Sequence, residues 1–132
     1  MTAIMSLPLR EQTDIVSAEQ TIIQFVKATD ERDAHGIFYL AHEKFQGIFM
    51  LDGSKVNSVV NKGEYMKMLW EKKLGGDEQQ VEIFHLEIIQ HVVTAKVRIT
   101  KGAKSVDSIY NLYRDGSGWQ VLYILPYQTQ KM

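Results

Sequence analysis

The carboxyl-terminal part of the chain alternates between apolar and polar side chains with a period of two. From position 93 to 100 the residues Val, Ala, Val and Ile alternate with Thr, Lys, Arg and Thr. Because successive side chains of a strand point to opposite faces, this alternation predicts a β-strand with one buried face. Further strands are expected over residues 106–114 and 119–127, since the turn-forming residues 115–118 separate them. We therefore expect everything after Gln80 to form a sheet.

A helix is expected from Asp14 onwards, after a loose lead-in over residues 1–12 in which Pro8 discourages helix formation. The Asp14 carboxylate can accept the otherwise unpaired amide hydrogens of a first helical turn, so we expect it to be the N-cap. Apolar and small residues then recur at helical spacing, at Ile15, Ala18, Ile22, Phe25, Val26 and Thr29.

Two shorter helices are expected before the sheet. Asp33 should cap the first of them. Asn61 followed by Glu64 has the pattern of a capping box, which predicts the start of the other. The dipeptide Gly75-Gly76 should end that helix, because glycine readily adopts the left-handed conformation found after helix ends.

A hairpin is expected between these two helices. The extended stretches over residues 45–51 and 55–60 flank Asp52-Gly53, a dipeptide that favours tight hairpin turns. The chain contains no linker, repeat or low-complexity tract, so we expect residues 1–132 to form one domain with its core over about residues 14–127.

The order of these elements carries a resemblance to a known superfamily. The residues that carry it are Asp33-Ala34, Phe45, Glu64-Tyr65, Ala95-Lys96-Val97, Val106-Asp107 and Gly118-Trp119-Gln120-Val121. In this order the chain resembles the nuclear-transport-factor-2-like superfamily, and within it looks most like the proteins classed as lumazine-binding. The resemblance implies a cone-shaped α+β fold, with about three N-terminal helices packed on a strongly curved antiparallel sheet. It also implies an apolar pocket between helices and sheet.

Composition excludes several kinds of partner and site. Fifteen basic against sixteen acidic side chains, without a dense basic run, argue against nucleic acid as a partner. The absence of cysteine excludes disulfides and thiolate zinc sites. No apolar run approaches the roughly 20 residues of a membrane span, and no secretory signal is recognisable, so we expect a soluble cytoplasmic protein. No motif for a metal or a cofactor is present, so none is expected.

Polar groups of the expected pocket are sought on the strand over residues 106–114. If Ile109 and Tyr113 face the pocket, the period of two places Asp107 and Asn111 on the same face. A carboxylate facing an apolar cavity has its pKa raised, which makes Asp107 a candidate general acid or base. The alternative is a hydrated carboxylate, or one bonded to a neighbouring backbone amide.

Aromatic side chains with polar edges are the second source of pocket residues, because they stack on a planar ligand and offer a hydrogen bond. Core packing is the simpler account of any one of them, and Trp119 is expected to be a pure core residue. The whole aromatic set is Tyr39, Tyr65, Trp70, Tyr110, Trp119 and Tyr123, of which Tyr39, Tyr65, Trp70 and Tyr123 are taken as pocket candidates.

The stretch from Val81 to Gln90 carries a second catalytic candidate, His85, whose imidazole suits proton transfer. The alternative is a histidine satisfied on a partly exposed face. Strand parity groups Val81, Ile83 and Ile89, together with His85 and Glu87, opposite Phe84, Leu86 and Ile88, so both faces look apolar. A single domain has one interior, so the second face has to be covered by a neighbouring subunit or by local helix and loop packing. We expect a homodimer through the outer face of the sheet.

Three functions remain open from the sequence. The leading hypothesis is a protein that binds a small hydrophobic or planar ligand. The second is an isomerase, cyclase or dehydratase that uses Asp107 or His85 as general base. Ketosteroid-isomerase-like relatives place an acidic base in the first long strand and a tyrosine on the first helix, whereas this chain has no carboxylate over residues 45–49 and Phe25 near the tyrosine position. The third is a non-catalytic dimerisation or interaction module.

Overall fold

The computed structural model describes residues 8–50, 57–116 and 118–131. The Asp52-Gly53 turn, most of the lead-in and Ser117 lie outside the described residues. In chain order the elements are α1 (Leu9–Asp30), α2 (Ala34–Leu40), β1 (Ala41–Met50), β2 (Asn57–Asn61), α3 (Lys62–Trp70), β3 (Gln80–Ile89), β4 (Val92–Lys101), β5 (Lys104–Arg114) and β6 (Trp119–Lys131). Among the described residues, no helix combines the length and apolar character of a transmembrane span.

Six strands form a single curved sheet in the order β2-β1-β6-β5-β4-β3. The neighbours pair antiparallel except β1 and β6, which run parallel with Ala41 opposite Val121 and Gly47 opposite Ile124. The expected α+β class, with three helices on a curved sheet, is confirmed, and the parallel pair makes the sheet mixed.

The core lies between the helices and the inner face of the sheet. Three rings meet there, with centroid distances of 5.8 Å between Phe25 and Phe45, 5.5 Å between Phe25 and Tyr65, and 5.4 Å between Phe45 and Tyr65. Fully burying one large apolar side chain contributes roughly 1.5–3 kcal/mol, so this cluster is a major source of stability. The sheet completes the core with Val93, Ala95, Val97, Leu112, Trp119, Val121 and Ile124.

The predicted caps of α2 and α3 are confirmed. The backbone N–H of Gly36 donates to Asp33 Oδ1 over 2.9 Å. At α3 the capping box is complete, because Glu64 N donates to Asn61 Oδ1 over 2.9 Å and Asn61 N donates to Glu64 Oε1 over 3.0 Å. These bonds satisfy amide hydrogens that have no partner inside the helix.

The predicted start of α1 is wrong. The helix begins at Leu9, and Pro8 is its N-cap residue, a position where a missing N–H costs nothing. Asp14 therefore lies inside the helix, and its Oδ1 accepts a hydrogen bond of 2.9 Å from Arg114 Nη1 on β5. The sequence signal at Asp14 marked an ion pair with a distant strand instead of a helix start.

A β-bulge at Phe84 overturns the predicted parity of β3. Ile83 pairs with Val97 and His85 pairs with Lys96, so Phe84 is an extra residue without a partner. Before the bulge the odd-numbered residues Val81 and Ile83 face the core, and after it the even-numbered residues Leu86 and Ile88 face the core. The predicted grouping of the apolar residues by face is therefore wrong, and the outer face of β3 carries Glu82, His85 and Glu87 beside the exposed Phe84 and Ile89.

The parity predicted for β5 is also wrong. Ser108 pairs with Val97 and Tyr110 pairs with Ala95, and both of these β4 residues are fully buried in the core. The inner face of β5 therefore carries the even-numbered residues. The odd-numbered Asp107, Ile109, Asn111 and Tyr113 lie on the outer face, opposite to the expectation. Both faces of this strand carry bulky residues, so its alternation cannot identify the inner one.

Candidate functional site

A cavity of about 210 Å³ lies between α1, α3 and the inner face of the sheet. Buried residues form its floor, namely Val26, Thr29, Tyr65, Ser108, Tyr110 and Ile124. Half-buried residues form its mouth, namely Phe49, Leu74, Gln79, Ile99, Val106 and Pro126. The cavity is thus largely apolar, with four hydroxyl groups on the floor.

Two of these hydroxyls are joined across the cavity floor. Tyr65 OH on α3 lies 2.6 Å from Thr29 Oγ1 on α1, and Thr29 Oγ1 also lies 3.0 Å from the carbonyl oxygen of Phe25. Burial raises the pKa of the Tyr65 phenol far above its ordinary value, and the bond to Thr29 opposes this only in part. Tyr65 is therefore a neutral phenol at physiological pH.

Tyr110 on β5 lines the cavity together with the aromatic residues Tyr65 and Phe49. It is buried, and its ring meets Phe25 edge to face at 6.5 Å. Burial raises the pKa of Tyr110, and the negative charge of Asp30 adds to the effect. The charge of Asp30 also raises the pKa of Tyr65, so this carboxylate acts electrostatically on both phenols.

Asp30, the last residue of α1, lines a groove that adjoins the cavity. Its Oδ2 accepts a hydrogen bond of 2.9 Å from Gln79 N, while its buried Oδ1 has no hydrogen-bond partner in the described part of the chain. Burial raises the pKa of Asp30, the Gln79 N–H lowers it, and the charges of Glu78 and Glu31 raise it further. An adjoining surface groove of about 510 Å³ includes Asp30 and shares Val26 and Gln79 with the cavity.

The segment between α3 and β3 is hydrogen-bonded to the end of α1 and forms one side of the mouth of the cavity. Gly76 N donates to Asp30 O over 2.8 Å, and Arg32 donates to Leu74 O over 3.2 Å and to Gly75 O over 3.1 Å. Gly75 has a φ of +83°, and a Cβ there would lie 2.1 Å from the carbonyl oxygen of Thr29. Only glycine allows this approach, which positions Leu74 and Gln79 at the cavity.

Of the eight predicted pocket residues, only Tyr65 lines the cavity. Asp107 lies on the outer face, where it accepts hydrogen bonds of 2.8 and 3.0 Å from Arg98. The bond from Arg98 lowers the pKa of Asp107, although burial opposes it. The expectation of a raised pKa in an apolar pocket is therefore wrong for this carboxylate.

The other predicted residues are distributed over the surface and the outer face. Ile109, Asn111, Tyr113 and Tyr123 accompany Asp107, and Asn111 Nδ2 donates to Thr94 Oγ1 over 3.1 Å. His85 is exposed beside Lys96 on the same face. Tyr39 and Trp70 are 63% and 67% exposed on the helices, and Tyr39 borders a separate open groove between α2 and α3.

Sequence reasoning missed the other hydroxyl residues of the cavity, Thr29, Ser108 and Tyr110, and the neighbouring carboxylate Asp30. Thr29 belonged to the predicted helical stripe and Tyr110 to the aromatic set, so both carried a signal that was assigned to core packing. Asp30 carried none, because its burial comes from the segment around Gly75-Gly76, far away in the sequence. Among the described residues, no group of three or more histidine, aspartate or glutamate side chains is arranged to hold a metal ion.

Comparison with solved structures identifies the fold. A nuclear-transport-factor-2-like protein of unknown function from Silicibacter pomeroyi superimposes with a TM-score of 0.74 at 10% identity, over 96% of this chain and 100% of that chain. A nuclear-transport-factor-2-like protein from Cytophaga hutchinsonii gives 0.71 at 13% identity, over 92% and 98%. A domain of unknown function with a cystatin-like fold from Nostoc punctiforme gives 0.69 at 13% identity, over 86% and 76%.

These identities show the fold alone. No family profile matches the sequence. No curated protein matches it either. The chain therefore has the nuclear-transport-factor-2-like fold, and its function has to be argued from its own cavity.

Proposed function

We propose that this protein, which has the nuclear-transport-factor-2-like fold, binds a small and largely apolar molecule in the cavity between α1, α3 and the sheet. The observation that carries the proposal is the composition of the cavity, in which the hydroxyls of Thr29, Tyr65 and Tyr110 stand among apolar side chains. A concave apolar surface with a few polar groups is the usual form of a ligand site, since the apolar walls give affinity and the polar groups give orientation.

The size of the cavity limits the ligand. Drug-sized molecules occupy about 300–1,000 Å³, whereas an apolar cavity of about 150 Å³ is enough for benzene. The 210 Å³ observed here suits a single substituted ring or a compact planar two-ring compound. Lumazine is a planar two-ring compound of this kind, and we propose it as a member of the test set. Steroids and flavins exceed the enclosed volume.

The proposal is tested by thermal unfolding in the presence of one-ring compounds and lumazine. A ligand that binds only the folded state stabilises it by about 2.7 kcal/mol at 100 times its Kd, so a true ligand raises the melting temperature. In Val106→Phe the new ring occupies the mouth and should abolish the shift. Val59→Phe is the matched control, because Val59 is exposed on β2. A shift that survives in Val106→Phe, or no shift with any compound, contradicts the proposal.

An enzymatic role with Asp107 or His85 as general base is the alternative. It loses its premise, because neither side chain lines the cavity. A general base has to lie within hydrogen-bond reach of the proton that it removes. Binding without catalysis by these two residues is therefore favoured. Unchanged ligand binding in Asp107→Asn and His85→Ala is the expected result.

We propose further that two copies of the chain associate through the outer face of the sheet. This face carries the half-buried apolar or aromatic residues Ile109, Tyr113, Tyr123 and Leu125. The Arg98–Asp107 pair between them is already hydrogen-bonded, so covering it leaves no unpaired carboxylate. Light scattering should give a dimer at micromolar concentration, a monomer for Ile109→Lys and a dimer for Val16→Lys, because Val16 is exposed on α1 and does not belong to the sheet. A wild-type monomer contradicts this proposal.

A cytoplasmic location is the last part of the proposal. It is supported by the absence of cysteine and by a net charge of −1, which offers little attraction to nucleic acid or to an acidic membrane surface. Cell fractionation with detection of the untagged protein tests it, and recovery in a membrane or secreted fraction contradicts it.

A further inference from the structure

Both hydrogen bonds of the Thr29 hydroxyl on the cavity floor can form together in one direction, because Thr29 has one hydroxyl hydrogen to donate. Its Oγ1 lies 3.0 Å from Phe25 O and 2.6 Å from Tyr65 OH. A carbonyl oxygen can only accept, so the hydrogen of Thr29 goes to Phe25. Thr29 Oγ1 then accepts from Tyr65, and the phenol hydrogen of Tyr65 is engaged with the protein.

Tyr65 consequently offers the cavity only the lone pairs of its oxygen. A phenol that has donated its hydrogen still accepts a hydrogen bond. The side chain is 3% exposed, so water has little access to this acceptor. A ligand that brings a hydrogen-bond donor to this point satisfies a buried polar atom, and a ligand without one leaves it unmet.

A second acceptor, Asp30, lines the groove that adjoins the cavity and shares Val26 and Gln79 with it. Asp30 Oδ1 is buried and lacks a hydrogen-bond partner among the described residues, while Oδ2 is bonded to Gln79 N. Gln79 itself lines the mouth of the cavity.

Ser108 and Tyr110, the other hydroxyl residues of the cavity, do not change the need of the Tyr65 oxygen for a hydrogen-bond donor. A hydroxyl that is free to rotate can donate to a carbonyl ligand or accept from an alcohol, so these two residues serve both kinds of ligand. An alcohol can accept from Tyr110 and also donate to Tyr65. A ketone can only accept, and it leaves the Tyr65 oxygen without a donor.

From this arrangement we infer that the cavity recognises small hydroxyl or N–H compounds in preference to carbonyl compounds of the same size. The inference rests on the proposed function, because it specifies the chemical class of the ligand for that cavity. Thr29 is the residue that determines the preference, since it holds the hydrogen of Tyr65 away from the ligand.

The test compares cyclohexanol with cyclohexanone, two six-membered rings that differ in the polar group. Dissociation constants are measured by titration with detection of backbone amide signals by nuclear magnetic resonance. One net hydrogen bond corresponds to roughly two- to tenfold in affinity, so cyclohexanol should bind tighter by about that factor.

Variants of Thr29 and Tyr65 show whether the preference for the alcohol depends on the direction of their hydrogen bond or only on the polarity of the ligand. Thr29→Val keeps the shape of the side chain and frees the Tyr65 hydrogen to donate into the cavity, so the preference should move towards cyclohexanone. Thr29→Ser keeps the hydroxyl and should keep the alcohol preference. Tyr65→Phe removes the acceptor, and the two compounds should then bind about equally. The amide spectra of each variant also report whether it is folded.

The outcomes are distinguishable. Equal or tighter binding of cyclohexanone by the wild-type protein overturns the inference and leaves the proposed function intact. An unchanged alcohol preference in both Thr29→Val and Tyr65→Phe likewise overturns the inference. Binding of neither compound by folded wild-type protein overturns the inference, and the proposed function falls with it only when the one-ring compounds and lumazine also fail to raise the melting temperature.

Discussion

Arg98 and Asp107 face each other across β4 and β5, and the guanidinium donates to both carboxylate oxygens over 2.8 and 3.0 Å. Asp107 is 4% exposed, so its charge is withdrawn from water and is compensated by this one partner. The hydrogen bond from Arg98 holds the pKa of Asp107 below its ordinary value. The pair therefore joins two strands on the outer face, where Arg98 engages both oxygens of the carboxylate.

Replacement of Asp107 by Asn should destabilise the protein at neutral pH and not in acid. Because the folded pKa is lowered, the carboxylate contributes stability above its unfolded pKa of about 3.9 and loses it as the pH falls through the folded value. We expect Asp107→Asn to lower the free energy of unfolding by about 1–2 kcal/mol at pH 7. Urea unfolding at several pH values checks this. A loss that persists undiminished in acid contradicts the account.

Asp30 should show the opposite dependence on pH. Burial raises its pKa, so the ionised form is disfavoured in the folded state, and the contribution of this group to stability falls as the pH rises through the interval between the unfolded and folded values. Asp30→Asn keeps an oxygen for the Gln79 N–H and removes the charge. The variant should melt higher than the wild type at neutral pH, and the difference should shrink in acid. A lower melting temperature at neutral pH contradicts this prediction.

Gly75 and Gly102 both have a positive φ, and comparing their alanine variants measures how much stability depends on the close contact between Gly75 and the carbonyl oxygen of Thr29. Gly75 has a φ of +83° and would press a Cβ against the carbonyl oxygen of Thr29, whereas Gly102 has a φ of +61° with open space around it. Gly102→Ala should cost about 1–2 kcal/mol, the usual penalty for a left-handed conformation. Gly75→Ala carries the clash in addition and should cost clearly more. Equal losses in chemical denaturation indicate that the segment relaxes away from α1.

The bulge at Phe84 predicts an unusual tolerance to deletion. Without Phe84, the residues of β3 alternate regularly, and Val81, Ile83, Leu86 and Ile88 still share the inner face. The shortened protein should keep a cooperative unfolding transition. Deletion of Lys96 from the regular strand β4 is the control, since it sends buried residues on one side of the gap to the outer face. Cooperative folding of the Lys96 deletion, or its loss in the Phe84 deletion, contradicts the prediction.

Features that depend on neighbouring residues could be predicted from the sequence. The capping box of Asn61 and Glu64 is complete within four residues, and the alternation of β4 is clean because only one of its faces is apolar. The start of α1 was missed because Asp14 resembles a cap locally, while its partner Arg114 lies on a distant strand.

The site was harder to predict than the fold, because each of its polar residues is defined by tertiary contacts. On β5, Ile109 and Tyr113 compete with Tyr110 and Leu112 for the interior, and only pairing with β4 decides between them. The bulge at Phe84 has no counterpart in the pattern of hydrophobicity. The burial of Asp30 depends on a loop that the sequence does not mark as a neighbour.

The parallel pairing of β1 with β6 has a consequence for the order of folding. β1 is synthesised before β6, and β2, α3, β3, β4 and β5 are synthesised between them. Until Trp119–Lys131 emerges, one edge of β1 has its backbone N–H and C=O groups without the strand that they pair with in the finished sheet. Such non-local pairing slows folding and lengthens the time for which an open strand edge can aggregate, so the nascent chain depends on β6 for the protection of β1.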